Sequence, residues 1–91
     1  MLTQLPGIIK IQCTPELKQE MKHGGVEGCV LILDEVKNMK GVSTAWFADN
    51  KSTDIVVEIS VESCERSQEI TEAIKALSGV ESVTLRIAVE V

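Results

Sequence analysis

Apolar and polar positions alternate most clearly in the last third of the chain. Ile55, Val57, Ile59 and Val61 fall on one side and Val56, Glu58, Ser60 and Glu62 on the other, which predicts a strand with one buried face. The period then lengthens. Ile70, Ala73, Ile74 and Leu77 make one stripe of a helix, with Ser63 placed as its N-cap and Gly79 as its stop. After Val80 the alternation returns, with Val83, Leu85, Ile87, Val89 and Val91 inward and Thr84, Arg86, Ala88 and Glu90 outward.

The earlier half reads as a looser version of the same order. Residues 1–7 are a lead-in ending at Pro6-Gly7, and Ile8 to Cys13 is a strand with Ile9, Ile11 and Cys13 on one face. Thr14-Pro15 ends it, because proline cannot continue a central ladder. Residues 14–25 form an irregular connection, either an ordered flap or a mobile loop. Within it Thr14 can cap a short helix, with Pro15 at the first position, Leu17 and Met21 facing inward, and Gly24-Gly25 as the break. The run Cys29 to Leu33 fits a helix or a buried strand on composition alone. A helix from about Glu27 to Lys40 accounts for more, since Cys29, Ile32, Leu33, Val36 and Met39 fall at helical spacing. The strand alternative leaves residues 34–42 without an assignment. Ser43 to Ala48 is then a short strand, and Asp49-Asn50-Lys51-Ser52 turns the chain toward Asp54.

The two halves align through Val36-Lys37-Asn38-Met39-Lys40-Gly41-Val42 and Ile74-Lys75-Ala76-Leu77-Ser78-Gly79-Val80. Two strand-helix-strand units in series give the α+β class: a ferredoxin-like βαββαβ sandwich, residues 1–91 as one domain, with a four-stranded antiparallel sheet carrying two helices on one face.

Composition narrows the function. Apolar residues make up 44% of the 91, but there is one Trp, one Phe and no Tyr, so the core must be Val, Ile and Leu. A domain this small gains stability by pairing with a second copy, so a homo-oligomer is expected. The net charge of −5 and the lack of stacking aromatics argue against autonomous nucleic-acid binding. No apolar run exceeds five residues, so no membrane segment is expected. The start, MLTQLPGIIK, has no basic region ahead of a long apolar core, so a cytoplasmic location follows by default. Three cysteines in a reducing compartment are then free thiols or ligands rather than disulfides.

Ser52-Thr53-Asp54-Ile55-Val56-Val57-Glu58-Ile59, a serine-started helix, and Ala73-Ile74-Lys75-Ala76-Leu77-Ser78-Gly79-Val80-Glu81-Ser82-Val83-Thr84 together resemble the ligand-sensing (RAM) domain of the feast/famine, or Lrp/AsnC, regulators. The resemblance covers Val42 to Val91. Where that family usually has a Gly before the aspartate, this turn reads Asp49-Asn50-Lys51-Ser52-Thr53. The resemblance implies a ferredoxin-like, ACT-related domain that dimerises through its sheet and takes a small-molecule effector. On it, Asn50 and Asp54 are the candidate ligand-binding residues. The chain carries no helix-turn-helix, which makes a relative of this kind a stand-alone regulatory module. The region from Gly28 to Glu62 also resembles, in fold, the cytoplasmic domain of cation-diffusion transporters and the heavy-metal-associated domains, although the CxxC of the latter is absent.

Catalysis is not expected. There is one His, no base stands beside a nucleophile in the sequence, and Glu65, Glu69 and Glu72 read as a solvated helix flank. Gly24-Gly25-Val26-Glu27-Gly28 has the glycines of a phosphate loop but no following Lys. No cofactor is expected, with one alternative. In this topology the first and third strands are the central pair and run parallel, so Cys13, Cys29 and Cys64 meet at one end of the sheet with His23 in the intervening loop, a set suited to zinc. Against this, Cys13 and Cys29 fall on core-facing positions, where cysteine serves as a small apolar side chain.

Overall fold

The structure, a computed structural model, describes residues 4–22, 27–48 and 53–87. Seven elements follow one another: β1 (Leu5–Cys13), α1 (Pro15–Lys22), α2 (Glu27–Lys37), β2 (Val42–Phe47), β3 (Ile55–Val61), α3 (Cys64–Lys75) and β4 (Val80–Ile87). The four strands make one sheet in the order β2-β3-β1-β4. Every neighbouring pair is antiparallel. This is the expected ferredoxin-like α+β sandwich with one helix more than expected. No helix among the described residues is long and apolar enough to cross a membrane.

Alternation decides which face is buried. Ile9, Ile11 and Cys13 of β1 and Ile55, Val57, Ile59 and Val61 of β3 are almost fully buried. They meet Cys29, Ile32, Leu33 and Val36 of α2 and Ile70 and Ile74 of α3 in one cluster. Each such side chain contributes about 1.5–3 kcal/mol relative to exposure, so this layer outweighs any single hydrogen bond of the fold. The segment from Glu27 is therefore a helix, as its spacing predicts, and Cys29 to Leu33 is not a strand.

Three features differ from the sequence reading. β1 begins at Leu5 rather than Ile8, so Pro6 and Gly7 lie inside a strand. Pro6 stands in register with Ser60 of β3. Gly7 has no side chain for a reason of space: a Cβ would stand 3.0 Å from Ile59 Cγ1. Residues 15–22 form the short helix that the sequence offered within the flap, Pro15 at its first position, with the Lys18 N–H donating to the Thr14 carbonyl at 3.0 Å. Its Gly24-Gly25 break lies outside the described residues.

In α3 the inward stripe is Ser67, Ile70, Thr71 and Ile74, and Ala73 is exposed. The hydroxyls are buried without penalty because each donates to its own helix: Ser67 Oγ to the Cys64 carbonyl at 2.6 Å, Thr71 Oγ1 to the Ser67 carbonyl at 2.8 Å. Ser63 caps α3 as expected, accepting the Arg66 N–H at 3.2 Å.

Finally, β1 and β3 run antiparallel, from Leu5↔Val61 to Ile11↔Ile55, not parallel. The two glycine stops do hold: Gly41 and Gly79 have φ of +99° and +93°, a region that L side chains avoid.

Candidate functional site

The most organised polar site lies where β1 ends and β3 begins. The Asp54 N–H donates to the Ile11 carbonyl at 2.9 Å, and the Asp54 carbonyl accepts the Ala48 N–H at 3.0 Å. Its carboxylate turns inward. Oδ2 accepts the Cys13 N–H at 2.8 Å and stands 3.7 Å from Lys18 Nζ. Asp54 thus fastens the start of β3 and the end of β1 to α1. Lys18, which no sequence motif singles out, completes this site only because α1 folds back over the strand ends. A second tie holds the same helix, the Thr14 N–H donating to the Gly79 carbonyl at 2.9 Å.

Cys13 and Cys29 lie beneath this cover. Both are fully buried and their thiols share a hydrogen bond. Burial first, then the neighbouring Cys29 and the Asp54 carboxylate, together push the Cys13 thiol up to about 12 against the opposing pull of Lys18. At neutral pH Cys13 is therefore a neutral thiol inside the core, not a nucleophile.

Two results should follow. With an aromatic disulfide reagent at mildly alkaline pH, the exposed Cys64 should react at once, and Cys13 and Cys29 only on unfolding. Three rapid thiols in the folded protein would contradict this packing. The pH dependence has a definite sign. A thiol whose folded pKa lies above its ordinary value of 9.0 contributes stability fully below pH 9, and that contribution is lost as pH climbs toward about 12. Thermal melts should therefore drop over that interval, and a Cys13→Ala variant should drop less.

The sequence expectation of one cluster of Cys13, His23, Cys29 and Cys64 is corrected. Antiparallel pairing places the end of β3, and Cys64 after it, beside Leu5, whereas Cys13 stands at the opposite end of β1. Cys13 and Cys29 do come together, Cys64 is apart and exposed, and His23 lies outside the described residues. Among the described residues no group of three or more His, Cys, Asp and Glu side chains is placed to hold a metal ion. Asn50 also lies outside the described residues, and the Asp54 carboxylate is already engaged by Cys13 and Lys18.

Where Cys64 does lie, at the start of α3, there is a cleft of about 590 Å³ lined in part by Lys40, Gly41, Glu62 and Arg66. The Arg66 guanidinium is held internally, by Glu69 Oε2 and the Lys40 carbonyl, each at 2.9 Å. Glu65 and Glu69 join Glu62 in the lining, so the cleft offers an anion little.

The outer face of the sheet is uncovered by any helix. Trp46 pairs with Val56 across β2 and β3, and Ile8 stands opposite Glu58 across β1 and β3. Trp46 is 42% and Ile8 41% exposed, on a face that also carries Lys10 and Arg86.

No family model matches the sequence, and comparison with curated proteins gives no match. Solved structures do match. An AsnC family transcriptional regulator from Agrobacterium tumefaciens superposes with a TM-score of 0.76 over 98% of this chain and 52% of its own, at 12% identity. The fold is that of the Lrp/AsnC ligand-sensing domain. A protein from Thermus thermophilus matches with a TM-score of 0.72 and 14% identity, over 96% of this chain and 95% of that one. A transcriptional regulator from Neisseria meningitidis, solved as an L-Met complex, matches at 0.64 and 10% identity, over 94% of this chain and 50% of its own. The chain spans about half the length of the two regulators, and at such identities the likeness is one of fold.

Proposed function

We propose that this chain is a non-catalytic regulatory module that binds a small-molecule effector and works as a homo-oligomer, two copies pairing through their outer sheet faces. The observation that carries this reading is the uncovered face itself. Trp46 and Val56, with Ile8 diagonal to Val56, form an apolar stripe across β2, β3 and β1. Pairing two such stripes about a two-fold axis removes them from water without a new surface elsewhere. The likeness in fold to the AsnC family regulator and to the L-Met-bound regulator supports an effector of amino-acid type.

A thermal-shift screen of free amino acids tests the ligand-binding half. A ligand at one hundred times its Kd stabilises by about 2.7 kcal/mol, which in a domain of this size raises Tm by roughly 10 °C or more. A panel that leaves the melting curve unchanged at millimolar concentration removes the amino-acid effector from the proposal.

A further inference from the structure

The helix side of the domain, which pairing of the outer sheet faces leaves open, carries a groove of about 460 Å³. One wall is a single stripe of α2: Gly28, Leu31, Ile32 and Glu35 stand at i, i+3, i+4 and i+7, on one side of two helical turns. Leu77, Ser78 and Gly79, just past the end of α3, make the facing wall, and Leu17 of α1 joins them. A Cβ on Gly79 would stand 3.2 Å from Ile32 Cδ1 and from Leu17 Cδ2, so the three segments meet there and close the floor. Above that floor apolar surface stays wet. Leu31 is 66% exposed, more than any other large apolar side chain among the described residues. The volume falls among those of small-molecule sites, about 300–1,000 Å³.

The charge of the groove has one sign. Among the described residues Glu35 is the one ionisable side chain that lines it, and there no hydrogen bond or ion pair engages its carboxylate. Glu16 and Asp34, exposed beside Leu17 and Glu35 in sequence, add to the same sign. The facing wall follows the C-terminal end of α3, where the last carbonyls of a helix carry about half a negative charge. The cations of these segments are engaged elsewhere. Lys18, next to Leu17, stands 3.7 Å from Asp54 Oδ2, and Lys75, three residues before Ser78, stands 3.8 Å from Glu72 Oε1. Lys37, two positions past Glu35, falls on the other side of α2.

We infer that this groove binds a primary aliphatic amine, its ammonium beside Glu35 and its tail over Leu31, Ile32, Leu77 and Leu17. Direction follows from the dipoles. The start of α2 at Gly28 is a positive helix end and repels the ammonium, whereas Glu35 at the other end of the stripe attracts it. From Gly28 to Glu35 the stripe is about 10 Å long at 1.5 Å per residue, room for a chain of about six carbons. A carboxylate on the ligand would meet Glu35 with no facing cation, so the amine is preferred to an amino acid with the same tail. The groove is therefore a site additional to the amino-acid effector proposed above, and it does not depend on that effector.

Titration of the ¹⁵N-labelled full chain with hexylammonium chloride at neutral pH tests it. Saturable amide shifts are expected at Leu31, Glu35, Leu77 and Ser78, and not at Ile8 or Trp46. Affinity should rise about two- to fourfold per methylene from butylammonium to hexylammonium. Hexanol should bind about two- to fivefold more weakly, and hexanoate more weakly still. Glu35→Gln, at an exposed position, should weaken hexylammonium by the same about two- to fivefold and leave hexanol and circular dichroism unchanged. Leu31→Ala should weaken the amine and the alcohol alike. Unshifted resonances, shifts centred on Trp46, hexanoate binding as tightly as hexylammonium, or a Glu35→Gln variant of native affinity would each overturn it. So would shifts at Leu31 and Leu77 on dilution of the protein alone, which would show a second copy filling the groove. The two ligand proposals separate cleanly. A flat amino-acid panel with a saturable hexylammonium titration removes the amino-acid effector and leaves the groove, and the reverse pair of results removes the groove alone.

Discussion

Gly41→Val is expected to destabilise the domain by about 3 to 5 kcal/mol, because two independent penalties fall on one residue. The backbone at Gly41 has φ +99°, which a β-branched side chain adopts only under strain. A Cβ there would also stand 2.9 Å from Ile70 Cδ1, and Ile70 is in the core, 2% exposed. The Gly41 carbonyl accepts the Ser60 N–H at 2.9 Å, so relief by moving the backbone would break the entry to β2. Urea unfolding of Gly41→Ala and Gly41→Val checks this, with the larger residue losing more. A valine variant within about 1 kcal/mol of the native chain, the usual spread for surface changes being half that, would show the turn to be more plastic than this geometry.

Asp54→Ala carries the second large effect, about 2 to 3 kcal/mol. Most of it comes from leaving the Cys13 N–H without an acceptor inside the fold. The Lys18 pair contributes less, since Lys18 is about one-third exposed and such pairs amount to roughly 0–1 kcal/mol. Asp54→Asn keeps an oxygen for the Cys13 N–H and should recover most of the loss, while Lys18→Ala should cost little. Hydrogen exchange gives the local readout. With Asp54→Ala the α1 amides should lose protection ahead of β3 and α3, because α1 is tied to the sheet through Asp54 and Thr14. Equal losses for Asn and Ala would mean that the charge, not the hydrogen bond, holds the helix.

These two residues mark what was legible in the sequence. Gly41 was readable as a helix stop because a left-handed residue after an apolar helix end leaves a local signature, repeated at Gly79. The strands β3 and β4, the cap at Ser63 and the apolar side of α2 were readable for the same reason: period and cap are local properties. The ties made by Asp54 were not, since Cys13 and Lys18 are distant in sequence and meet only through strand pairing. Strand direction was the costliest miss. Periodicity carries no direction, yet it follows from connectivity. A helical crossover sets β2 parallel to β1, and the turn from β2 reverses the chain, so β3 must oppose β1. The zinc cluster depended on the opposite assumption, and Cys64 left it when the direction was corrected. Helix α1 was legible only as an option inside the flap, through Thr14 and Pro15, because its polar residues outnumber the apolar ones and Leu17 alone among its described side chains packs on the core. In α3, Ser67 and Thr71 pass as outward residues in a pattern of apolar letters, though their hydroxyls bond the helix and let them face in.

Whether the outer face pairs with a second copy is decided by sedimentation equilibrium on the native chain beside Trp46→Glu. Trp46 is half-exposed and lies outside the buried core, so its replacement should leave the fold intact by circular dichroism while placing a charge at the β2 end of the apolar stripe. The account predicts the mass of two chains for the native protein at micromolar concentration and of one chain for the variant. A one-chain mass for the native protein, or a two-chain mass undisturbed by Trp46→Glu, would contradict it.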